Sequence, residues 1–285
     1  MKDTSLCIES IATWFSTGFF LDDSSFLKGD KIIKSKKFMD IDWYYAPRNI
    51  SFNKTVDEFS ELLESLIKIN TSEKKIILPL SGGLDSRSLA TALRNQKDIT
   101  TFSYEFENGI RETEYANKIA RIYDWDFHKY IIPKGYLWDN IDELASINNC
   151  QTEFTHSRQM AVINEIKTLG NLILSGQWGD VLFDIPGIKK NANIDEQTNF
   201  LIEKLAKPGG IELAEDLWKF WKKGGTYKEF LFERIKELLL KINIDEPNSR
   251  IKAFKSLHWA PRWADSNLKV FSNSIDMFIP YYQKE

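Results

Sequence analysis

Apolar positions change their spacing several times between residues 55 and 175, which indicates alternating strands and helices. Residues 76–80 form an uninterrupted apolar run that predicts a buried strand, and Pro79 predicts that this strand ends there or pairs incompletely. Further strands are predicted at residues 100–106, 126–132 and 171–175. Helices are predicted at residues 55–69, 84–94, 112–122 and 157–169. The expected fold class is therefore α/β, with a doubly wound, mostly parallel sheet.

The two flanks of this region have different patterns. The N-terminal flank is mixed and aromatic, with one helical pattern at residues 5–15. The C-terminal flank predicts successive helices at residues 199–207, 213–222 and 228–242. We therefore expect an N-terminal extension, an α/β domain and a helical section packed on that domain, at residues 1–54, 55–190 and 191–285. Thr55 precedes acidic residues and is the expected N-cap of the first helix of the domain.

Composition and charge exclude several classes of protein. The 285 residues are 42% hydrophobic and 28% charged, which is typical of a folded globular chain. The net charge of -3 gives no basic field for nucleic acid, and no apolar run is long enough to cross a membrane. Glu9 interrupts the first apolar stretch, so a signal peptide is not expected and the predicted location is the cytoplasm.

Cysteine and histidine positions give no sign of a metal cluster. Cys7 and Cys150 are far apart and are expected to be ordinary thiols in a reducing compartment. The spacing of His128, His156 and His258 does not match that of metal ligands, so structural roles are favoured. The basic residues at 34–37 are expected to form a solvated loop.

The strongest chemical signal is Ser81-Gly82-Gly83-Leu84-Asp85-Ser86, between the first strand and the following helix. Two glycines let the backbone approach a ligand closely, and a helix start offers unpaired N–H groups to an anion. The Asp85 carboxylate repels an anion unless a cation lies between them, so its presence predicts Mg²⁺. The segment lacks the Gly-Lys-Ser/Thr ending of a P-loop and is not a Rossmann fingerprint. The alternative is a plain Gly-Gly turn with a capping serine.

A second segment follows another predicted strand and reads Ser175-Gly176-Gln177-Trp178-Gly179-Asp180. Together the two segments resemble the asparagine synthetase family of N-type ATP pyrophosphatases, in the PP-loop superfamily. The first resembles the family's pyrophosphate-binding motif, and the second resembles its motif of Ser-Gly, an acid, two small residues and Asp-Glu. The resemblance covers about residues 55–185 well and the flanks loosely. It implies an adenine nucleotide alpha hydrolase-like fold, with an ATP-pyrophosphatase domain at residues 55–190.

The resemblance also implies a role for each matching residue. The residues expected to hold the β- and γ-phosphates of ATP are Ser81, Gly82, Gly83 and Ser86. The residues expected to hold Mg²⁺ are Asp85 and Asp180. The residues expected to flank the adenosine are Leu80, Tyr104, Ser175 and Gly176. The implied reaction adenylates a small-molecule carboxylate, aspartate or a related one, releases pyrophosphate, and passes the acyl group to ammonia or an amine.

Three positions of the second segment depart from the family pattern. Gln177 occupies the catalytic position of the family's acid, which helps the amine to attack, and an amide cannot accept that proton. Trp178 replaces a small residue and is expected to reshape the substrate side. Val181 replaces the acid that follows Asp180.

Both ends of the chain also differ from the family. Residues 274–282 resemble the family's Ser-Val-Glu-x-Arg-x-Pro-Phe-Leu stretch, with Phe278 at the arginine position. The family's catalytic lysine comes after residue 285, so we expect a truncated chain, a substitute basic residue or incomplete catalysis. The basic residues considered, each favoured as a surface charge, are Arg87, Arg158, Lys189, Lys190 and Arg262. The glutaminase domain is not expected, so nitrogen is expected from ammonia, an amine or a separate glutaminase.

Three hypotheses therefore stay open. The first is an ATP-dependent amide-forming ligase. The second is a non-catalytic ATP-binding module, which predicts binding of Mg-ATP without release of pyrophosphate. The third is an incomplete fragment of a longer amidotransferase. Branches of the superfamily that make NAD or modify tRNA are disfavoured by the second segment.

Overall fold

The computed structural model describes residues 5–32, 43–155 and 157–284. The predicted basic loop at residues 34–37 and His156 lie outside the described residues. The described strands, in chain order, are β1 (Ile76–Pro79), β2 (Ile99–Phe106), β3 (Asp126–Ile132), β4 (Leu172–Leu174) and β5 (Asp276–Phe278). The described α-helices are α1 (Ile8–Thr17), α2 (Phe52–Thr71), α3 (Leu84–Ala92), α4 (Glu112–Ile122), α5 (Tyr136–Asn148), α6 (Ile163–Ile166), α7 (Gly179–Phe183), α8 (Ile194–Leu205), α9 (Gly210–Phe220), α10 (Tyr227–Leu240), α11 (Pro247–Phe254) and α12 (Asp265–Ser272).

The five strands form one sheet in the order β3-β2-β1-β4-β5, and every pairing is parallel. Helices connect consecutive strands, as parallel pairing requires. The chain moves outward from β1 to β2 and β3, then returns to the other side of β1 for β4 and β5. The prediction of an α/β fold with a doubly wound, mostly parallel sheet is confirmed.

Strand β1 occupies the centre of this sheet and ends where its proline predicts. It pairs with β2 along its whole length, but with β4 only at Ile76 and Ile77. Pro79, which has no N–H to donate, therefore lies beyond the segment that is paired on both sides. The next residue resumes the ladder, because the Leu80 N–H donates to the Phe102 carbonyl at 2.8 Å. The chain leaves the sheet directly after this bond.

Two predictions about helices in this region are wrong. Helix α2 begins before Thr55, and its N-cap is Ser51, whose hydroxyl accepts from the Lys54 N–H at 3.2 Å. Residues 157–169 do not form one helix. A 3₁₀ turn at Arg158–Val162 precedes the short helix α6, and the backbone of Val162 (φ -135°, ψ 15°) departs from helical geometry between them.

The chain divides into two compact units. The unit named here the sheet unit comprises Pro47–Ile147, Phe154–Phe183 and Leu268–Glu285, and it contains the five strands. The helical unit comprises Met1–Ala46, Asn148–Glu153 and Asp184–Asn267. The predicted division at residues 1–54, 55–190 and 191–285 stays a prediction. Within the described residues, no helix is long and apolar enough to cross a membrane.

The helical unit has a core of its own around Leu231, Ile235 and Phe254. The three helices predicted in its C-terminal part are present as α8, α9 and α10, with earlier starts than predicted. Capping boxes define two of these starts, one between Asn193 and Glu196 and one between Thr226 and Glu229. A π-helix at Lys255–Ala264 follows α11 and was not predicted.

Candidate active site

The loop after β1 is held by hydrogen bonds between its two serines. The Ser81 N–H donates to the Ser86 hydroxyl oxygen at 3.1 Å, and the two hydroxyl oxygens lie 3.0 Å apart. The Gly83 N–H donates to the Ser81 hydroxyl oxygen, also at 3.1 Å. Ser86 is buried, whereas Gly82 and Gly83 are exposed. The serine side chains therefore shape the loop from within, and the glycine backbone faces outward, where an anion can approach.

Gly83 is the N-cap of α3, so Asp85 and Ser86 lie in the first turn of a nine-residue helix. The first N–H groups of a helix have no acceptor within the helix and carry the positive end of its dipole. Asp85, on the same turn, is half-buried. The loop thus places the first N–H groups of α3 and a carboxylate in the same helical turn.

The second segment leaves the same edge of the sheet one strand away. The Ser175 N–H donates to the Phe278 carbonyl at 2.9 Å, which extends the β4–β5 pairing by one bond. The Gln177 N–H then donates to the Ser175 hydroxyl oxygen at 3.2 Å and turns the chain. Helix α7 begins at Gly179 and places Asp180 in its first turn. Asp180 is exposed, and Gln177 is half-buried.

Two glycines bring the second segment against the first. A Cβ atom added to Gly179 would lie 2.7 Å from the Asp85 carboxyl group, which no side chain tolerates without movement. A Cβ atom on Gly176 would lie 3.3 Å from the Ser86 nitrogen. The two loops are therefore in close contact, and glycine is required at position 179 for this approach.

The acids of the two segments interact electrostatically. Burial raises the pKa of Asp85, the negative charge of Asp180 raises it further, and a backbone hydrogen bond from Asp180 opposes these effects. The structure thus brings Asp85 and Asp180 together, although they are far apart in the sequence. Two carboxylates that repel each other at the edge of an anion-binding loop form a suitable site for a cation.

The residues predicted to flank the adenosine lie at the same edge. Leu80 and Ser175 directly follow β1 and β4, and Tyr104 lies in β2, two residues before the end of that strand. Leu80 and Ser175 are buried, and Tyr104 is half-buried. Burial raises the pKa of the Tyr104 hydroxyl. Ligands of open parallel sheets bind outside the carboxyl ends of the strands, where the strand order reverses, and here that place lies between β1 and β4.

Residues 58–264 match the family model described as asparagine synthase. This chain belongs to the asparagine synthase family. The match covers well over half of the chain and includes both segments that meet at the edge of the sheet. No curated protein matches the chain significantly. Members of the asparagine synthase family are ATP-dependent amide-forming ligases, and they use ATP as a substrate.

The asparagine synthase-like site offers two carboxylates to a metal ion. Among the residues that the structure describes, no group of three or more His, Cys, Asp or Glu side chains could hold a metal by itself. Mg²⁺ does not need such a group, because it keeps several waters and binds through one or two carboxylates plus substrate phosphates. The pair Asp85 and Asp180, beside an anion-binding loop, fits this mode of binding.

Trp178 adopts an unusual backbone conformation in the family's second motif. Its φ of 79° lies in the left-handed region, which strongly favours glycine. Its indole is only 4% exposed and packs edge-on against Tyr282, with the ring centroids 5.8 Å apart. The expected effect on the substrate side is therefore not supported, because a side chain this buried offers almost no surface to a substrate.

The five basic residues considered as substitutes for the family lysine have different positions. Arg158 lies near Tyr104: its positive charge lowers the pKa of that hydroxyl, and its guanidinium stands over the Phe106 ring at 5.3 Å from the centroid. Arg87 is exposed on α3, and its Nε donates to the Gly83 carbonyl at 3.3 Å. Lys189 and Lys190 are exposed in the helical unit.

The expectation of a surface charge is wrong for the fifth residue, Arg262. It is 1% exposed, lies in the π-helix of the helical unit, and donates through both terminal nitrogens to the Ile32 carbonyl. Burial lowers its pKa, whereas the negative charges of Asp23, Asp22 and Asp265 oppose that effect. Buried guanidinium groups need such compensation, so Arg262 has a structural role in this unit.

Sequence reasoning missed Tyr281, which contacts the Asp85 region directly. Its hydroxyl donates to the Asp85 carbonyl at 3.0 Å, and the residue is 5% exposed. The available signal was a difference from the family stretch Pro-Phe-Leu, since the chain has tyrosine in place of phenylalanine. A pattern alone does not show where that extra hydroxyl points.

Proposed function

We propose that this chain binds Mg-ATP at the carboxyl edge of its sheet and adenylates a carboxylate, aspartate or a related compound. The observation that carries the proposal is the close approach of Gly179 to the Asp85 carboxyl group, which brings the loop after β1 against the first turn of α7. This contact unites an anion-binding loop with two acids, as an ATP pyrophosphatase requires. Family membership supports the same activity.

The proposed roles follow from the local chemistry. Ser81, Gly82, Gly83 and Ser86 bind the β- and γ-phosphates through backbone N–H groups and hydroxyls, and a phosphate oxygen replaces the Ser81 hydroxyl as the acceptor of the Gly83 N–H. Asp85 and Asp180 hold Mg²⁺ against those phosphates. Bound Mg²⁺ supplies positive charge that stabilises the leaving pyrophosphate. Leu80, Tyr104, Ser175 and Gly176 flank the adenosine, so the α-phosphorus is positioned between the loop and the substrate carboxylate.

The proposed reaction has two steps. A carboxylate oxygen forms a bond to the α-phosphorus while the bond to pyrophosphate breaks. The nitrogen of ammonia or an amine then attacks the acyl carbon, AMP leaves with the electron pair, and the nitrogen loses a proton. Gln177 cannot take that proton, so its acceptor is a group other than this side chain. The nitrogen source is ammonia, an amine or a separate glutaminase.

The experiment that tests the proposal is carboxylate-dependent exchange of labelled pyrophosphate into ATP with Mg²⁺. A panel of carboxylates that includes aspartate identifies the substrate. We expect exchange that Asp85→Ala abolishes and that Asp98→Ala preserves, because Asp98 precedes β2 at the opposite edge of the sheet. No exchange with any carboxylate, although the wild-type chain binds Mg-ATP, contradicts the adenylation step.

One observation favours a second candidate. Gln177 presents an amide where the family has an acid, so a group needed for the second step is altered. A non-catalytic ATP-binding module, or an incomplete fragment of a longer amidotransferase, would bind Mg-ATP and show no exchange. The exchange experiment separates a non-catalytic chain from one that forms the adenylate. Because Gln177 affects only the second step, that step is tested separately, by measuring amide formation with ammonia.

A further inference from the structure

The C-terminal turn of the chain packs against both loops of the candidate site. This 3₁₀ turn, Pro280–Tyr282, follows β5, the neighbour of β4 in the sheet. Its two tyrosines are buried, 5% exposed at Tyr281 and 6% at Tyr282. Tyr281 contacts the loop after β1, and Tyr282 contacts the loop after β4. The turn thus packs against both segments that carry the acids Asp85 and Asp180.

Tyr281 makes a polar contact and an aromatic contact that converge on Asp85 and on α7. Its hydroxyl donates to the Asp85 carbonyl at 3.0 Å. Burial raises the pKa of this hydroxyl to about 12, and the Ser88 side chain, one turn further along α3, opposes that effect. Its ring packs edge-on against Phe183 at the end of α7, with the centroids 5.8 Å apart. One side chain therefore connects the helix that carries Asp85 to the helix that carries Asp180.

This connection matters because the two acids repel each other. The charge of Asp180 raises the pKa of Asp85, so the pair gains no stability from its own proximity when no cation is bound. Other contacts must keep α3 and α7 together, and Tyr281 supplies one that does not involve either carboxylate. A carboxylate pair that is already held in place binds a cation without the entropic cost of ordering its ligands. Residues that orient metal ligands through hydrogen bonds therefore raise the affinity for the metal.

We propose that Tyr281 is a positioning residue, whose hydroxyl holds the Asp85 turn of α3 against α7 so that Asp85 and Asp180 stay arranged for one divalent cation. The inference rests on the proposed function, because it concerns the same Mg²⁺ site. Tyr281 touches neither carboxylate through its hydroxyl; it acts through the Asp85 backbone. Phenylalanine at this position would keep the ring contact with Phe183 and lose the hydrogen bond to the Asp85 carbonyl.

The test compares Tyr281→Phe with the wild-type chain in the Mg²⁺ dependence of ATP binding, followed by calorimetry or with a fluorescent ATP analogue. We expect the Mg²⁺ concentration at half-saturation to rise about tenfold, with ATP affinity restored at saturating Mg²⁺ and unchanged in EDTA. The matched control is Tyr123→Phe, at the end of α4, where the ring stacks on Trp125.

The outcomes separate this inference from the proposed function. If the wild-type chain binds no Mg-ATP, the proposed function fails and this inference fails with it. If the wild-type chain binds Mg-ATP and Tyr281→Phe has the same Mg²⁺ half-saturation, the inference alone is overturned. A lower thermal stability of Tyr281→Phe without any change in half-saturation gives the tyrosine a merely structural role, and this also overturns the inference.

Discussion

The two loops that carry Asp85 and Asp180 lie at one edge of the sheet but are held in different ways. The loop after β1 is held by its own residues, through the bonds between Ser81 and Ser86 and an N-cap in ordinary extended geometry. The loop after β4 contains Trp178 in the left-handed region and depends on packing against Tyr282, far along the chain. Local bonds shape the first loop, and Tyr281 adds a distant contact only at Asp85, whereas the second loop needs distant packing to hold a residue in an unfavourable conformation.

This difference determines how each loop responds to change. Substitutions within the loop after β1 should change its conformation. The conformation of the loop after β4 should also change when distant residues that pack on it are substituted. The loop after β4 also tolerates an unfavourable backbone angle, and strained residues persist only where their surroundings hold them in place. We therefore expect substitutions in the two loops to affect stability and ATP binding differently.

The largest effect is expected where the loops touch. Gly179→Ala places a methyl group 2.7 Å from the Asp85 carboxyl group, so either that carboxyl group or the loops must move. Overpacking of this kind costs about 1–3 kcal/mol, and the same free energy lost from binding lowers the affinity for Mg-ATP by about 5- to 150-fold. Calorimetric titration measures it. Gly224→Ala, where a methyl group meets open space, is the matched control. Equal affinities of the two variants would contradict the close approach.

The next effect concerns the local loop. Ser86→Ala leaves the Ser81 N–H without its hydroxyl acceptor in a buried place, which costs about 1–3 kcal/mol in the free energy of unfolding. Urea denaturation of Ser86→Ala, compared with Ser146→Ala on the exposed surface of α5, measures the difference. A Ser86→Ala chain as stable as the control would show that the serine bonds do not hold this loop.

A smaller effect distinguishes strain from packing in the second loop. Trp178→Ala and Trp178→Gly both lose the buried indole, but only glycine relieves the backbone angle of 79°. We expect Trp178→Gly to be about 1 kcal/mol more stable than Trp178→Ala, because a left-handed residue with a Cβ costs about 1–2 kcal/mol. In helices and strands the alanine variant is normally the more stable of the two. Thermal unfolding of both variants measures the order, and a more stable alanine variant would contradict the strain.

The smallest effect is a pH dependence. The pKa of Asp85 is raised above its usual 3.8 in the folded chain, so the folded state loses stability as the pH rises through that pKa. Asp85→Asn should therefore be more stable than wild type at neutral pH in EDTA, by less than about 1 kcal/mol because solvent screens the exposed partner. The gain should vanish as the pH falls below the usual value. Urea denaturation at both pH values measures it, with Asp98→Asn as control, and a gain that persists in acid would contradict the electrostatic cause.

The comparison of the loops also explains what the sequence predicts well. The strand β1, the serine loop and the start of α3 are contiguous, so a pattern of residues suffices to recognise them. The same holds for β2, β3 and α4, whose observed bounds match the predictions within one residue. Leu80, Tyr104 and Ser175 were predicted together from the family resemblance, and the shared edge of parallel strands accounts for their proximity.

Features that depend on tertiary packing were not predictable. Tyr281 reaches Asp85 only because β5 pairs with β4, and no local pattern contains that pairing. The π-helix at Lys255–Ala264 contains Pro261, which in an α-helix would remove one hydrogen bond and clash with the preceding turn, and no helix was predicted there. Arg262 was predicted as a surface charge because arginine is rarely buried without compensating partners.

The central claim is that Asp85 and Asp180 hold one divalent cation together against ATP. The most direct measurement is a double-mutant cycle on ATP binding with Mn²⁺, followed by electron paramagnetic resonance, using Asp85→Ala, Asp180→Ala and the double variant. If the acids share one ion, either single substitution removes most of the metal-dependent affinity and the double variant loses little more. Strictly additive losses, or a single variant that binds Mn²⁺-ATP as wild type does, would contradict the account.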